Sequence, residues 1–146
     1  MSGGNGRDMT LHLIKLAVGI EDVGHLRLVQ RERYKARGVR VFFTRNTPRR
    51  SEELLDGGSI YWVIKGQVRV RQLLKDFTAT VDDEGRPLCV VRYDRVLVPT
   101  VPKPKRAFQG WRYLQPEEAP PDLKGKESGQ ELPPQMVEEL RALGLL

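Results

Sequence analysis

The chain has 146 residues, 39% of them hydrophobic and 30% charged, and a formal net charge of +6. That length holds one domain of ordinary size, which buries roughly two-thirds of its unfolded surface and needs no metal or disulfide to hold a core. The single cysteine, Cys89, excludes a disulfide framework or a CxxC site; no run reaches the ~18 apolar residues of a membrane span, and no signal peptide is visible, so a cytoplasmic protein without membrane contact is expected.

Residues 1–8 (MSGGNGRD) read as a disordered leader. Thr10–Val18 (TLHLIKLAV) turns from alternation to an almost continuous apolar run, which predicts a central strand ended by Gly19. Glu21 and Asp22 then suit the electropositive start of a helix running to about Ala36. Val23, Leu26 and Val29 form its apolar stripe, with Arg27, Arg31 and Lys35 opposite; Leu28 falls on the basic side. Gly38 is placed to cap it in a left-handed conformation.

Val39–Arg45 (VRVFFTR) predicts a second strand by its β-branched and aromatic content. Thr47-Pro48 reads as the N-cap and first position of a short helix ending at Asp56-Gly57-Gly58. Ser59–Lys65 alternates Ile60, Trp62 and Ile64 against Tyr61, Val63 and Lys65, and Gly66 turns it into a long strand, Gln67–Val81. There Val68 and Val70 oppose Arg69 and Arg71, while Leu73, Leu74 and Phe77 fall out of phase, so a bulge or bend is expected near Gln72. Asp82–Gly85 reads as a hairpin turn into a returning strand, Arg86–Tyr93.

Beyond Asp94 the prolines at 99, 102 and 104 leave only short pieces, Val96–Val98 and Val101, before a closing strand at Ala107–Leu114. Residues 116–132 have the Pro-rich, polar composition of a flexible linker. Pro133-Pro134 starts a terminal amphipathic helix, 133–146, that either docks on the domain or binds a protein partner. The expectation is an α+β domain over 9–115: a small, bent antiparallel sheet closing toward a barrel, with two packed helices. Sustained βα alternation, which would build a doubly wound sheet, is missing.

Charge is unevenly spread. Residues 37–75 and 86–113 each carry a net +6, whereas 76–85 and the tail from 114 each carry −4. Twelve of the sixteen basic residues in the two positive stretches are arginine, whose guanidinium forks onto phosphate as an ammonium does not. Arg45, Arg49 and Arg50 bracket the Thr47-Pro48 helix start, where free N–H groups favour an anion. Arg69 and Arg71 share a strand face, with Lys65 on the hairpin partner; Arg106 precedes Gln109, Trp111 and Arg112. Arginines beside Tyr61 and Trp111 would combine phosphate contacts with stacking surface, and Gln109 would reach a base edge, as single-stranded RNA or an extruded base requires.

Chemistry has less to stand on. There is no GxSxG elbow and no GxxxxGK[ST] or GxGxxG loop. Two histidines and one cysteine are too few for a metal site without carboxylates at ligand spacing, so no cofactor is expected. The enzymatic alternative is a small hydrolase or nucleotide-processing enzyme in which His12, Cys89 and a carboxylate converge.

The segments ELLDGGSIYWVIKGQVRVRQ (53–72) and PKRAFQGWRYLQPEEAPPDL (104–123), with TLHLIKLAVG and TPRR, resemble a family of short bacterial proteins of unknown activity. More remotely, the strand–helix opening and the IYWVIKGQVRVRQ hairpin are similar to the PUA, ASCH and EVE group of small barrels. That resemblance implies a domain that binds RNA or modified bases in a cleft beside the barrel.

Overall fold

The structure, a computed structural model, describes residues 9–123. The predicted leader 1–8 and terminal helix 133–146 lie outside the described residues. The elements in chain order are β1 (His12–Leu16), α1 (Val23–Arg37), β2 (Val41–Thr44), α2 (Ser51–Leu54), β3 (Ser59–Ile64), β4 (Gln67–Val81), β5 (Pro87–Tyr93), β6 (Val98–Pro104) and β7 (Trp111–Leu114). A single 3-10 turn follows at Pro116–Glu118.

Local chemistry sets α1. Asp22 is its N-cap, the carboxylate accepting the His25 N–H at 2.7 Å, and Gly38, at φ 78°, ends it while donating to the Tyr34 carbonyl. Lys35 and Arg37 in the last turn face the negative end of the helix dipole. Val23, Leu26 and Gln30 are buried, whereas Leu28 is 56% exposed on the basic side.

The seven strands form one open mixed sheet in the order β2-β5-β4-β3-β1-β7, with β6 added to β4. The expected antiparallel sheet is corrected at one joint: β1 and β3 pair in parallel, Leu13 opposite Ile60 and Leu16 opposite Val63. The chain from β1 to β3 crosses over through α1, β2 and α2, as a parallel pair demands. The resulting fold is a mostly-sheet α+β domain.

β4 belongs to both halves of the sheet. Its first part pairs with β3 and β6, and from Leu74 onward it pairs with β5. The irregularity expected near Gln72 is present on either side of it: Gln72 itself stays in register with Ile60, and the ladder slips between Leu74 and Asp76 and between Val68 and Val70. The β3–β4 connection is a two-residue hairpin with Lys65 (φ 52°) and Gly66 (φ 81°) both left-handed, the conformation that matches strand twist.

Three expectations change here. Thr47-Pro48 does not open the second helix; α2 begins only at Ser51 and has four residues. The prolines at 99, 102 and 104 do not break the chain into pieces, because β6 is an added strand against β4, where a missing N–H is tolerated. Residues 116–123, read from composition as linker, are tied down: Val101 donates to the Pro121 carbonyl, Leu123 to that of Pro99, and Asp122 bridges Thr100.

Two apolar clusters divide the faces of β3 as its alternation predicts. Ile60, Trp62 and Ile64 join Leu13, Leu26, Val70, Leu74, Cys89 and Val91 beneath α1. Tyr61 and Val63 pack with Ile14, Val68 and Leu114 on the other side. Both faces of β3 are therefore buried, unlike a sheet with one face in water.

Candidate anion-binding face

The eleven residues singled out from sequence lie in several separate places. Arg45 clasps the β4–β5 hairpin, donating to Asp82 Oδ2 and the Pro87 carbonyl, each at 2.9 Å. Asp82 also accepts the Arg86 and Glu84 backbone N–H groups, and these bonds with Arg45 hold its carboxyl below the ordinary range. Arg49 is exposed, and Arg50 is bidentate to Glu53. The helix-start N–H expected to hold an anion is already used: Arg50 N–H donates to the Tyr113 hydroxyl at 3.2 Å.

Tyr61, expected as stacking surface, is 4% exposed and packs edge-on against His12. Lys65 pairs with Glu21 at 2.8 Å. Arg69, expected to reach phosphate, is 6% exposed. Arg71 is bidentate to Asp122 and donates to Ser59 Oγ; the Asp122 contact raises its pKa. Its outward side is thus occupied by the chain's own C-terminal segment. Arg106 and Gln109 are exposed, and Arg112 lies over the Phe108 ring while donating to the Gln109 carbonyl. Three pairs come together: Arg112 with Gln109, Tyr61 with Arg71 as cross-strand neighbours lining one concavity, and Arg50 with Trp111 through Tyr113, whose ring lies 5.6 Å from the Arg50 guanidinium and 4.9 Å from the Trp111 ring.

The structure gathers a different basic set, around α1. A hollow of about 300 Å³ opens between this helix, the end of β1 and the face of β2. Phe42, Trp62 and Tyr93 line it, with ring centroids 5.7 to 6.2 Å apart. Lys15, Arg33 and Arg37 supply its charge, and no carboxylate lines it among the described residues. Lys15 is half-buried; desolvation lowers its pKa, and its ammonium lies 6.0 Å from the Phe42 ring centroid, at the limit of cation–π attraction. Burial pushes the Tyr93 hydroxyl up while Arg33, Arg40 and Arg37 pull it back, so three guanidinium groups act on one phenol.

Two further concavities continue around the helix. One of about 240 Å³ at its C-terminal end shares Tyr93 with the hollow and contains Arg40, Lys75, Arg92 and Arg95 together with Asp94. The next, about 210 Å³, shares Arg40 and Arg95 and adds Arg27, Arg31 and Leu97.

Gln30 lies under both sides of the helix, lining the aromatic hollow and the arginine cup. Its amide exchanges two 2.8 Å bonds with Gln72, which also accepts from Trp62 Nε1 and donates to the Asp94 carbonyl. An amide has two donors and two acceptor sites, so Gln72 is saturated while Gln30 has used half of its capacity on this pair.

The stripe of Arg27 and Arg31 was visible in the sequence, but Lys15, Gln30, Arg33, Arg37, Phe42 and Tyr93 were missed. The one local signal was two i,i+4 arginine pairs, Arg27/Arg31 and Arg33/Arg37, on a single helix.

The groups proposed for catalysis are kept apart. Cys89 is fully buried in the cluster beneath α1. His12 packs against Tyr61, in the other cluster, and its Nδ1 accepts the Ser59 N–H at 3.0 Å. His25 Nδ1 accepts the Glu21 N–H. No group of three or more His, Cys, Asp or Glu side chains is disposed to hold a metal among the described residues. No helix among them is long and apolar enough to cross a membrane.

The domain is therefore of the α+β class, mostly sheet with two helices among the described residues. The chain belongs to the family described as Protein of unknown function (DUF1489), whose model matches residues 13–146. Comparison with curated proteins and with solved structures finds no match.

Proposed function

We propose that this protein is a nucleic-acid-binding module, for RNA in the first place, that seats an unstacked or modified base in the hollow beside α1 and performs no chemistry on it. The supporting observation is the lining: four aromatic rings, Phe42, Phe43, Trp62 and Tyr93, and three cations, without a carboxylate among the described residues. Aromatic side chains hold a base by stacking or edge contacts, and cations beside them hold the flanking phosphates. On this reading Lys15, Arg33 and Arg37 take the phosphates and Gln30 offers its remaining amide positions to the base edge. The bent sheet, whose end strands approach each other, supports reading the fold as a variant of the PUA-type barrel, in which a ligand sits in a cleft beside the sheet.

The test is titration of the full chain with single-stranded RNA at several salt concentrations. Binding should weaken with salt, log K falling by about 0.7 per phosphate contact for each decade. Lys15→Gln and Arg33→Gln should each lower affinity several-fold, and Arg45→Gln, ion-paired at the far hairpin, should leave it within about twofold. Absence of RNA binding at low salt would remove this reading.

A further inference from the structure

Lys15 stands where the pattern of its strand calls for an apolar side chain. Leu13 and Lys15 share one face of β1, and Leu13 is fully buried in the cluster beneath α1. The register partners of Lys15 are Trp62 on β3 and Trp111 on β7, and the Phe42 ring centroid is 6.0 Å from its ammonium. The side chain is thus half-buried in the wall of the aromatic hollow, which no acid lines among the described residues. The adjoining concavities contain Asp94 and Glu21, and Glu21 is paired with Lys65.

A hydrocarbon side chain of the same length would pack at this position without the desolvation that the ammonium suffers. A desolvated donor recovers that loss from an acceptor. In the hollow, the entering ligand supplies it.

The form of the acceptor follows from the lining. Lys15 has three N–H groups, Arg33 and Arg37 have five each, and none of these side chains can accept a hydrogen bond. Trp62 Nε1–H is already given to Gln72, and Gln30 keeps one acceptor position after its pairing with Gln72. Arg33 and Arg37 are exposed on α1, where a phosphate keeps part of its hydration, whereas Lys15 lies among the rings that receive the base. With three donors, its ammonium serves a phosphate oxygen and still has an N–H for the base edge.

Bases fall into two classes by the group beside the ring nitrogen. Guanine, hypoxanthine and uracil place a carbonyl oxygen next to a ring N–H; adenine and cytosine place an amino group next to a bare ring nitrogen. The carbonyl oxygen of the first class accepts from Lys15, and its ring N–H suits the remaining acceptor of Gln30. An amino group of the second class meets the ammonium donor against donor, which leaves both unsatisfied.

We infer that Lys15 is the specificity-determining residue of the hollow, and that the hollow takes keto bases in preference to amino bases. The inference rests on the nucleic-acid reading of this hollow and adds which bases enter it and which side chain tells them apart.

The experiment uses short RNAs that carry a single base flanked by abasic spacers. Inosine is compared with adenosine, and uridine with cytidine, so that each pair keeps its ring size and exchanges the keto for the amino pattern. On the full chain the keto member of each pair should bind about tenfold tighter. Lys15→Gln, whose amide both donates and accepts, should bring both ratios near one. Arg33→Gln should weaken all four strands alike and leave the ratios as they were, which separates reading the base from holding the phosphate.

Equal affinity within both pairs would overturn the inference and leave the nucleic-acid reading standing. Ratios that survive in Lys15→Gln would overturn it too, because another group would then read the base. Failure of every strand to bind at low salt would remove the nucleic-acid reading and this inference with it.

Discussion

Trp111 and Thr44 are 67 residues apart and sit on the strands at opposite ends of the sheet, yet the indole Nε1–H donates to Thr44 Oγ1 at 3.0 Å. β2 and β7 form no ladder with each other, so a side-chain bond spans the gap that backbone pairing leaves open. β4 makes this possible by changing partner along its length, from β3 and β6 to β5, with a register shift between Leu74 and Asp76; Phe42 of β2 also lies near Lys15 of β1. The hollow exists because the sheet curls without closing.

Trp111→Phe keeps most of the packing and removes the donor, and should cost about 1 kcal/mol. In a double-mutant cycle with Thr44→Val, urea denaturation should show a coupling energy of about 1 kcal/mol. Strictly additive effects would mean that the bond does not hold the two ends together.

Gln72 is fully buried, and its four amide positions are filled by Gln30, Trp62 and the Asp94 carbonyl. Gln72→Leu leaves the Gln30 amide and the Trp62 N–H unsatisfied, with an expected loss of about 3 kcal/mol by chemical denaturation. Gln30→Leu/Gln72→Leu should be less destabilised than the sum of the single variants, because an apolar pair leaves fewer stranded groups. A fully additive double variant would show that the two amides act independently.

Lys15 sits half-buried in the hollow, which no acid lines among the described residues, and desolvation makes its charge oppose folding. Its folded pKa is below 10.5, and the unfolded chain holds the proton more tightly. Stability from this group is therefore complete above pH 10.5 and declines as pH falls through the folded value. Lys15→Met should raise the melting temperature at pH 7, abolish the lysine-dependent rise in stability on the approach to pH 10.5, and weaken RNA binding several-fold. Melting curves at pH 7 and 10 with one binding titration check all three.

A Cβ on Gly58 would fall inside contact distance of the Leu11 and Leu54 carbonyl oxygens, both backbone atoms that cannot swing aside. Gly58 N–H donates to the Leu54 carbonyl, and its own carbonyl accepts from Leu74, so α2, the residue that leads into β1, and β4 converge on this residue. Gly58→Ala should cost about 3 kcal/mol. A melting temperature unchanged from the parent would show that the three elements separate easily.

Features governed by neighbours in sequence were legible. The caps of α1 rest on Asp22 and Gly38, a few residues from what they cap. The alternation of β3 divides its side chains between two clusters because successive residues on any strand point to opposite faces. The β3–β4 hairpin follows from Gly66. Proline misled at β6, since a missing N–H breaks an interior strand but is tolerated in one added at the margin, and the chain does not say which it will be. The arginines at 45, 50 and 71 looked available because their acids, at 82, 53 and 122, are distant in the chain or a helical turn away.

By itself the sequence determined the class of domain, the extent of its longest helix, an apolar strand at its centre and an excess of arginine. Those are properties of period, capping and composition, all short-range or additive along the chain. Only the tertiary structure decided which arginines face one another. Arg27 and Arg95 meet because β5 returns along β4 and delivers its far end beside α1, an outcome of long-range pairing and burial that no local pattern encodes.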